Sequence, residues 1–367
     1  MTSPAEAIRV ALIGFGYAGR VFHAPLIASV PGLSLSVIGS RAGDAARAAF
    51  PHAAIVADPL AAARHPDVAL VVIATPNDSH APLAAAALRA GKHVVVDKPF
   101  TVTLAEARAL AGLAAETGRH LSVFQNRRFD SDFLVIRRAI ESGALGDVVE
   151  IRSEISRYRP QIRDRWRERA GPGAGIWYDL GPHLADQALL LFGVPDTIQA
   201  DIQIQRAGGT APDWFQAVLG YGLKRVILEA SMVAADTAPR FLVRGVKGSV
   251  LKRLADVQEA QLLAGKTPGE DGWGHDPDPA SLFTPDAPGQ PLATPSGDYR
   301  RYYAAMRDAI RGAGTLPVTP TEATSLMAVI EAGLRSAERG ETVVPAFTDA
   351  ERDAWRAALP QGAVSSR

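Results

Sequence analysis

The first 125 residues alternate short apolar runs with Ala-rich helical stretches, and this alternation is the strongest constraint on the fold. The predicted strands are IRVALIG (8–14), LSLSVIG (33–39), ALVVIAT (69–75), HVVVD (93–97) and LSVFQ (121–125). Consecutive β-branched residues such as Val94–Val96 are typical of strands buried on both faces of a parallel sheet. The alternation predicts an N-terminal doubly wound α/β domain of the Rossmann type. Thr103, with Glu106 three residues later, predicts a capping box at the start of one of its helices.

The remainder of the chain follows a different pattern. We predict helices near 131–142, 180–192, 298–312 and 320–339, strands through 147–255, and a long loop over the Pro- and Gly-rich residues 268–297. TIQADIQIQ alternates strictly, with Ile198, Ala200, Ile202 and Ile204 on one face. This alternation is typical of an antiparallel strand with one wetter face. The predicted division is a dinucleotide-binding domain at 1–125 and an α+β domain with a large, mostly antiparallel sheet at 126–367.

Composition excludes several classes of function. The chain has 39 basic and 39 acidic residues, and this balance argues against a nucleic-acid partner. It has no cysteine, which excludes disulfides, thiolate metal sites and a cysteine nucleophile and favours a cytoplasmic protein. Residues 8–14 fit a strand better than a signal peptide, and no apolar stretch is long enough to span a membrane.

The first predicted strand leads into a glycine-rich turn, GFGYAG. Gly14, Gly16 and Gly19 have the spacing that allows a tight turn, close approach of a pyrophosphate and close helix packing, with Phe15 and Tyr17 between them. The following helix would offer its unpaired N–H groups to phosphate. The alternative is a glycine-rich turn that binds no ligand.

The end of the second strand bears on which dinucleotide binds. NAD enzymes usually place an acid there to hold the ribose hydroxyls, whereas this chain has Gly39-Ser40-Arg41. Ser40 and Arg41 can bind a 2′-phosphate, so we expect NADP(H), with NAD(H) as the alternative. Ser40 could instead cap the next helix while Arg41 points into water.

Several motifs at strand ends resemble those of the glucose-fructose oxidoreductase/inositol dehydrogenase/MocA (Gfo/Idh/MocA) family. They are Thr75-Pro76-Asn77 followed by Ser79-His80, and Asp97-Lys98-Pro99 one strand later. GRVFHAPLI, QNRRFDSDF, GIWYDLGPHLADQAL and DVQEAQLLAGKTPGEDGWG are similar to the subgroup that contains NADP-dependent scyllo-inositol dehydrogenases. The resemblance spans nearly the whole chain.

The resemblance implies hydride transfer between nicotinamide and a polyhydroxylated alcohol or carbonyl, such as an inositol or a sugar. It implies that Lys98 lies at the reacting oxygen and that Asp179 and His183 complete the site. Either Lys98 or His183 could be the proton donor. We expect the helix to begin between Asp179 and Pro182, which would put His183 near its N-terminus and favour a neutral ring.

Other contacts are predicted around this site. Thr75, Pro76, Asn77, His80, Lys98 and Asn126 are candidate coenzyme contacts. In RYRPQIRDRW (157–166), Tyr158 and Trp166 are candidate substrate contacts; the alternative is a solvated strand end with ion pairs such as Arg165 with Glu168. His275, Asp276 and Asp278 superficially resemble metal ligands, but their Pro-rich setting favours turns, and we expect no metal.

Two other functions fit the same fold. One is a non-catalytic dinucleotide-binding regulator, and the other is a biliverdin-reductase-like enzyme with a large planar substrate. The combination of Lys98, Asp179 and His183 favours an enzyme acting on a polyol. The resemblance also implies a homodimer or homotetramer built through the second-domain sheet.

Overall fold

The computed structural model describes residues 7–41, 43–236 and 238–358. Its strands are β1 (Ile8–Ile13), β2 (Leu33–Gly39), β3 (Ala54–Val56), β4 (Leu70–Ile73), β5 (His93–Val96), β6 (Leu121–Val123), β7 (Val148–Glu154), β8 (Thr197–Gln203), β9 (Trp214–Tyr221), β10 (Lys224–Ser231), β11 (Phe241–Gly245), β12 (Ser249–Lys252), β13 (Ala280–Thr284) and β14 (Ala287–Leu292). Its α-helices are α1 (Ala24–Ser29), α2 (Gly43–Ala49), α3 (Pro59–Ala63), α4 (His80–Arg89), α5 (Leu104–Thr117), α6 (Ser131–Glu141), α7 (Ile176–Phe192), α8 (Gln258–Leu263), α9 (Arg300–Ile310), α10 (Pro320–Arg339) and α11 (Asp349–Ala358). No described helix is both long and apolar enough to cross a membrane.

The first sheet confirms the predicted parallel, doubly wound arrangement. Its six strands follow the order β3-β2-β1-β4-β5-β6, and every pair is parallel. The order reverses between β1 and β4, and ligands of such sheets bind at the carboxyl ends of strands beside this point. The Val94–Val96 run has no solvent exposure, as a strand covered on both faces requires. The predicted capping box of Thr103 and Glu106 begins α5.

The second sheet is mostly antiparallel, as predicted. Its eight strands follow the order β14-β13-β12-β11-β7-β10-β9-β8, and only β10 with β7 pairs in parallel. The alternation predicted for TIQADIQIQ holds within β8, where Ile198 and Ala200 are buried. Ile204 lies beyond the end of the strand and is 45% exposed.

The prediction of a long loop over 268–297 was wrong for residues 280–292. Residues 280–292 form the hairpin of β13 and β14, joined by the two-residue turn Pro285-Asp286. β14 contains Pro288, Gly289 and Pro291, which a strand tolerates only at the edge of a sheet, and β14 is the edge strand here. Because proline and glycine argue against a central strand, the composition of this segment did not indicate the edge strand that it forms.

The chain forms two compact units that are not continuous in sequence. The first contains Met1–Asn126, Gln258–Trp273 and Asp298–Thr324, and the second contains Arg127–Val257, Gly274–Gly297 and Ser325–Arg367. Within the first unit, α8 packs on the turn Gly19–His23 and α9 packs on α1. Residues 258–273, which contain α8, and residues 298–324, which contain α9, are the two returning segments of the first unit. The predicted division at residue 125 assigned both to the second domain, and the division itself stays a prediction.

Candidate active site

The glycine turn has the geometry that its spacing predicts. Gly14 has a φ of 97°, and a Cβ there would lie 2.4 Å from the Ala74 carbonyl oxygen. A Cβ at Gly19 would lie 2.0 Å from the Gly14 carbonyl oxygen, so both positions require glycine. A Cβ at Gly16 would meet nothing within 4 Å, which leaves open space at the position that faces a pyrophosphate in such turns. The turn therefore fits a dinucleotide.

Tyr17 joins this turn to the returning segment of the first unit. Its hydroxyl donates a 2.8 Å hydrogen bond to Oε1 of Glu259, in α8. Gln258, the fully buried first residue of α8, anchors the segment, because its Oε1 accepts the Tyr299 N–H at 2.7 Å. Glu259 lies 242 residues beyond Tyr17, so no local pattern in the sequence predicts this contact.

The end of β2 lies beside the glycine turn. The Gly14 N–H donates to the Gly39 carbonyl at 2.9 Å, so Ser40 and Arg41 follow directly from the strand that supports the turn. Arg41 is exposed, and the nearest following acid, Asp44, is in α2 within ion-pair distance of Arg47. An exposed arginine at this strand end is a feature expected of a site for a 2′-phosphate.

A buried histidine connects the loops that follow β4 and β5. His80 has no solvent exposure; its Nδ1 lies 2.9 Å from the Pro99 carbonyl oxygen and its Nε2 lies 3.0 Å from that of Thr75. Two carbonyl acceptors are both satisfied only by a ring that carries a proton on each nitrogen. The Ser79 hydroxyl also donates to Thr75 Oγ1 at 2.6 Å, and Asn77 is 2% exposed. His80 as a direct coenzyme contact stays a prediction; the geometry shows that it bridges the two loops.

Lys98 follows β5 at the same edge and is half-buried. Its backbone N–H donates at 2.8 Å to Oδ1 of Asp97, a buried carboxyl. Burial raises the pKa of Asp97, but the facing His23 imidazole and the charges of Lys98 and His80 outweigh burial and hold the pKa below its usual value. Asp97 is therefore an anion that holds the backbone of Lys98.

In the second unit, α7 carries Asp179 and His183, and its start differs from the prediction. The helix begins at Ile176, after Gly175 with a φ of 86°, so Pro182 is inside the helix and not in its first turn. His183 is the eighth helical residue, and because the dipole acts mainly within the first turn, the argument for a neutral His183 from the dipole was wrong. Asp179 occupies the first turn, where an anion is favoured. The two residues are four apart and share a face; His183 is 5% exposed.

The segment before α7 lies against Asp179. Arg167 Nε is 3.6 Å from Asp179 Oδ1, and its guanidinium lies 4.5 Å from the centre of the Trp166 ring. The Arg167 carbonyl accepts the N–H of Gly175, the residue that precedes the helix. Trp166 and Arg167 are thus held at the start of α7, and sequence reasoning missed Arg167.

A buried arginine fixes this segment in place. Arg206 Nε lies 2.8 Å from Asp213 Oδ2, and Nη1 lies 3.0 Å from Glu168 Oε2 and donates at 3.0 Å to the Arg159 carbonyl. Arg206 is 7% exposed, and a buried arginine with such partners is costly to disrupt. Its role could not be inferred from sequence because Arg159 and Glu168 lie far from it along the chain. Tyr158, in contrast, is 62% exposed.

The remaining predicted residues fall as follows. Asn126 is 6% exposed and begins a short 3₁₀ turn just beyond β6. Asp276 and Asp278 form ion pairs with the fully buried Lys252, at 3.2 and 2.7 Å. The aspartates of HDPD thus neutralise a buried lysine. No cluster of three or more metal-ligating side chains occurs among the described residues.

Comparison with known proteins identifies the family. The model of the oxidoreductase family's NAD-binding Rossmann fold (GFO_IDH_MocA) matches residues 8–125, and that of its C-terminal alpha/beta domain matches residues 137–345. The uncharacterized oxidoreductase YdgJ of Escherichia coli is 48% identical, over 92% of this chain and 99% of its own. The scyllo-inositol 2-dehydrogenase (NADP(+)) IolW of Bacillus subtilis is 35% identical, over 92% and 96%. A crystal structure from Klebsiella pneumoniae has a TM-score of 0.90 at 49% identity, covering 96% of this chain and 99% of that one.

These matches confirm the resemblance drawn from the strand-end motifs. The chain belongs to the Gfo/Idh/MocA family of oxidoreductases. It is an enzyme with an NAD(P)-binding Rossmann domain.

Proposed function

We propose that the protein is an NADP(H)-dependent oxidoreductase that interconverts a polyhydroxylated alcohol and its carbonyl form, with an inositol or a sugar as substrate. The observation that carries the proposal is the glycine turn, where glycine is required at Gly14 and Gly19 while space remains open at Gly16. The relative IolW, named as an NADP(+)-dependent scyllo-inositol dehydrogenase, supports the coenzyme and the substrate class.

The first unit supplies the residues that would hold the coenzyme. The turn from Gly14 to Gly19, including Phe15 and Tyr17, would bind the pyrophosphate through backbone N–H groups. Ser40 and Arg41 would bind the 2′-phosphate, because a guanidinium recognises phosphate and no acid stands at the end of β2 to repel it. Further predicted contacts are Thr75, Pro76, Asn77, His80, Lys98 and Asn126.

Three side chains would handle the substrate during the reaction. When bound, nicotinamide supplies the hydride chemistry. Lys98 donates a hydrogen bond to the substrate oxygen and so stabilises negative charge as it develops there. His183 accepts the hydroxyl proton during oxidation and returns it during reduction. Asp179, in the first turn of α7, orients the ring or a substrate hydroxyl. The roles of Lys98 and His183 can be exchanged within this scheme.

Trp166 and Tyr158 would contact the substrate from the segment before α7. The contact of Arg167 with both Trp166 and Asp179 supports this role, because it ties the segment to one of the three reacting side chains. Substrate choice would then depend on the hydroxyl partners and shape of this region. We further propose a cytoplasmic homo-oligomer that uses the second sheet as its interface.

The proposal is tested with a panel of inositols, aldoses, ketoses and one large planar tetrapyrrole, each with NADP(H) and NAD(H), followed at the absorbance band of the reduced nicotinamide. We expect turnover with at least one cyclic polyol or sugar and a higher kcat/KM with NADP(H). Tight coenzyme binding without turnover on any member would favour the non-catalytic regulator. Turnover of only a large planar substrate would favour the biliverdin-reductase-like alternative.

A further inference from the structure

Three buried polar side chains contact one another in series and end at the backbone N–H of Lys98. The Tyr303 hydroxyl is 2.6 Å from Nδ1 of His23, and Nε2 of His23 is 3.7 Å from Oδ1 of Asp97, the oxygen that accepts the Lys98 N–H. Tyr303 and His23 have no solvent exposure, and Asp97 is 6% exposed. All lie in the first unit.

The distances between these groups fit one arrangement of their protons. Burial, with the nearby Tyr302 and the charge of Asp97, raises the pKa of Tyr303 well above its ordinary value, so its hydroxyl keeps its proton and can donate to Nδ1. A His23 ring that accepts at Nδ1 carries its proton at Nε2, the nitrogen that faces Asp97. At 3.7 Å the latter contact is longer than a hydrogen bond and acts between the N–H dipole and the carboxylate charge.

The three groups come from distant parts of the sequence. His23 ends the π-helical turn that begins at Gly19 of the glycine turn, Asp97 follows β5, and Tyr303 lies in α9. Burying these polar groups is unfavourable, and their contacts with one another offset part of that cost. The π-helical turn also links the glycine turn physically to the residue beside Lys98, and such turns are frequent at functional sites.

We propose that His23 and Tyr303 are positioning residues that fix the Asp97 carboxylate and, through it, the backbone of Lys98. They do not touch the substrate. They hold the lysine in the place from which it can donate to the substrate oxygen. The part of the inference that concerns turnover rests on the proposed function, whereas the part that concerns the Lys98 backbone does not.

Hydrogen exchange of the coenzyme-free protein tests the backbone part without any substrate. Tyr303→Phe removes the hydroxyl and keeps the ring, which packs edge-on against Tyr302 and His23. We expect the amide of Lys98 to exchange about tenfold faster, since the hydrogen bond to Asp97 is loosened. Tyr302→Phe is the matched control, because Tyr302 is also fully buried in α9 and donates to Ser122 at 2.8 Å. It should leave exchange at Lys98 unchanged.

Kinetics test the consequence for the enzyme. Tyr303→Phe should lower kcat about tenfold while the coenzyme Kd stays within twofold, and Tyr302→Phe should change neither. His23→Phe should lower kcat at least as much, and His23→Gln, which retains an N–H donor, should recover part of the loss. The double variant Tyr303→Phe/His23→Phe should be no slower than His23→Phe alone, because both act through one path.

Equal exchange at Lys98 in the two tyrosine variants would overturn the inference, whatever the substrate. If Tyr303→Phe does not fold, equal exchange in His23→Gln and His23→Phe would overturn it. Faster exchange in a protein that turns over no polyol would leave the positioning role standing and reject the proposed function instead.

Discussion

At the scale of single residues, a residue's role could be predicted from the sequence where that role depends on its own backbone and its neighbours in the sequence. Gly14, Gly16 and Gly19 could be assigned because a tight turn and close packing are consequences of their own backbone. The start of α7 could not be predicted, because Pro182 is compatible with a first turn but is also tolerated inside this helix. Arg206 acts through Glu168 and the Arg159 carbonyl, which are distant from it in the sequence. Arg167 contacts Asp179 because the fold places it at the start of α7, so neither arginine could be identified from its type and position.

Arg41 gives a direct test of coenzyme choice at this scale. Arg41→Ala removes the guanidinium proposed to bind the 2′-phosphate, and a lost hydrogen bond to a charged group costs about 1.5–3 kcal/mol. We expect the Kd for NADPH to rise about tenfold or more and that for NADH to change less than twofold, measured by fluorescence titration.

Arg47→Ala is the control, because Arg47 is exposed in α2, within ion-pair distance of Asp44. Equal weakening of NADPH and NADH by Arg41→Ala would remove the case for phosphate recognition.

At the scale of elements, the alternation of strands and helices predicted the first sheet well. β4 and β5 are dominated by buried β-branched residues, whereas the three residues of β3 are exposed or half-buried and produced no pattern. The hairpin of β13 and β14 was missed because edge strands tolerate proline. The returning segment 258–273 was missed because its attachment, through Tyr17 and Glu259, depends on the tertiary fold.

The contact between Tyr17 and α8 should affect coenzyme binding. Tyr17→Phe removes the 2.8 Å bond to Glu259 and so loosens α8 from the glycine turn. An exposed hydrogen bond contributes about 0.5–1.5 kcal/mol, so we expect the Kd for NADPH to rise about two- to tenfold. Isothermal titration would measure it.

Glu270→Gln serves as the control for that titration. Glu270 lies in the same returning segment and accepts the Thr267 N–H within it. A Tyr17→Phe affinity equal to that of the wild type would show that α8 does not support the turn.

At the scale of the whole molecule, one histidine pair should make stability depend on pH. The rings of His93 and His120 stack with their centres 5.0 Å apart, and Nδ1 of His93 accepts the backbone N–H of His120. Burial, together with the charges of His120 and Arg119, lowers the pKa of His93 to about 4 from 6.5. The unfolded chain therefore binds more protons between these values, so the contribution to stability is complete above about pH 6.5 and is lost as the pH falls towards 4.

Chemical denaturation at pH 7 and pH 4.5 measures this loss. We expect His93 to account for a decrease on the order of 1 kcal/mol, allowing for screening of a half-buried group. His93→Gln should reduce the difference in unfolding free energy between pH 7 and pH 4.5 by that amount. His52→Gln, at an exposed position, should leave that difference unchanged. An unchanged difference in His93→Gln would assign the pH dependence to other groups.

The central claim is that Lys98 acts on the substrate oxygen of an NADP(H)-dependent reaction. The most direct measurement is the rate of NADP⁺ reduction by wild type and by Lys98→Met, with the best polyol of the panel at saturation. Because methionine keeps most of the length of the side chain and removes its donor, we predict a kcat at least about a hundredfold lower, with a much smaller change in the coenzyme Kd. A Lys98→Met enzyme that turns over at the wild-type rate would contradict the account.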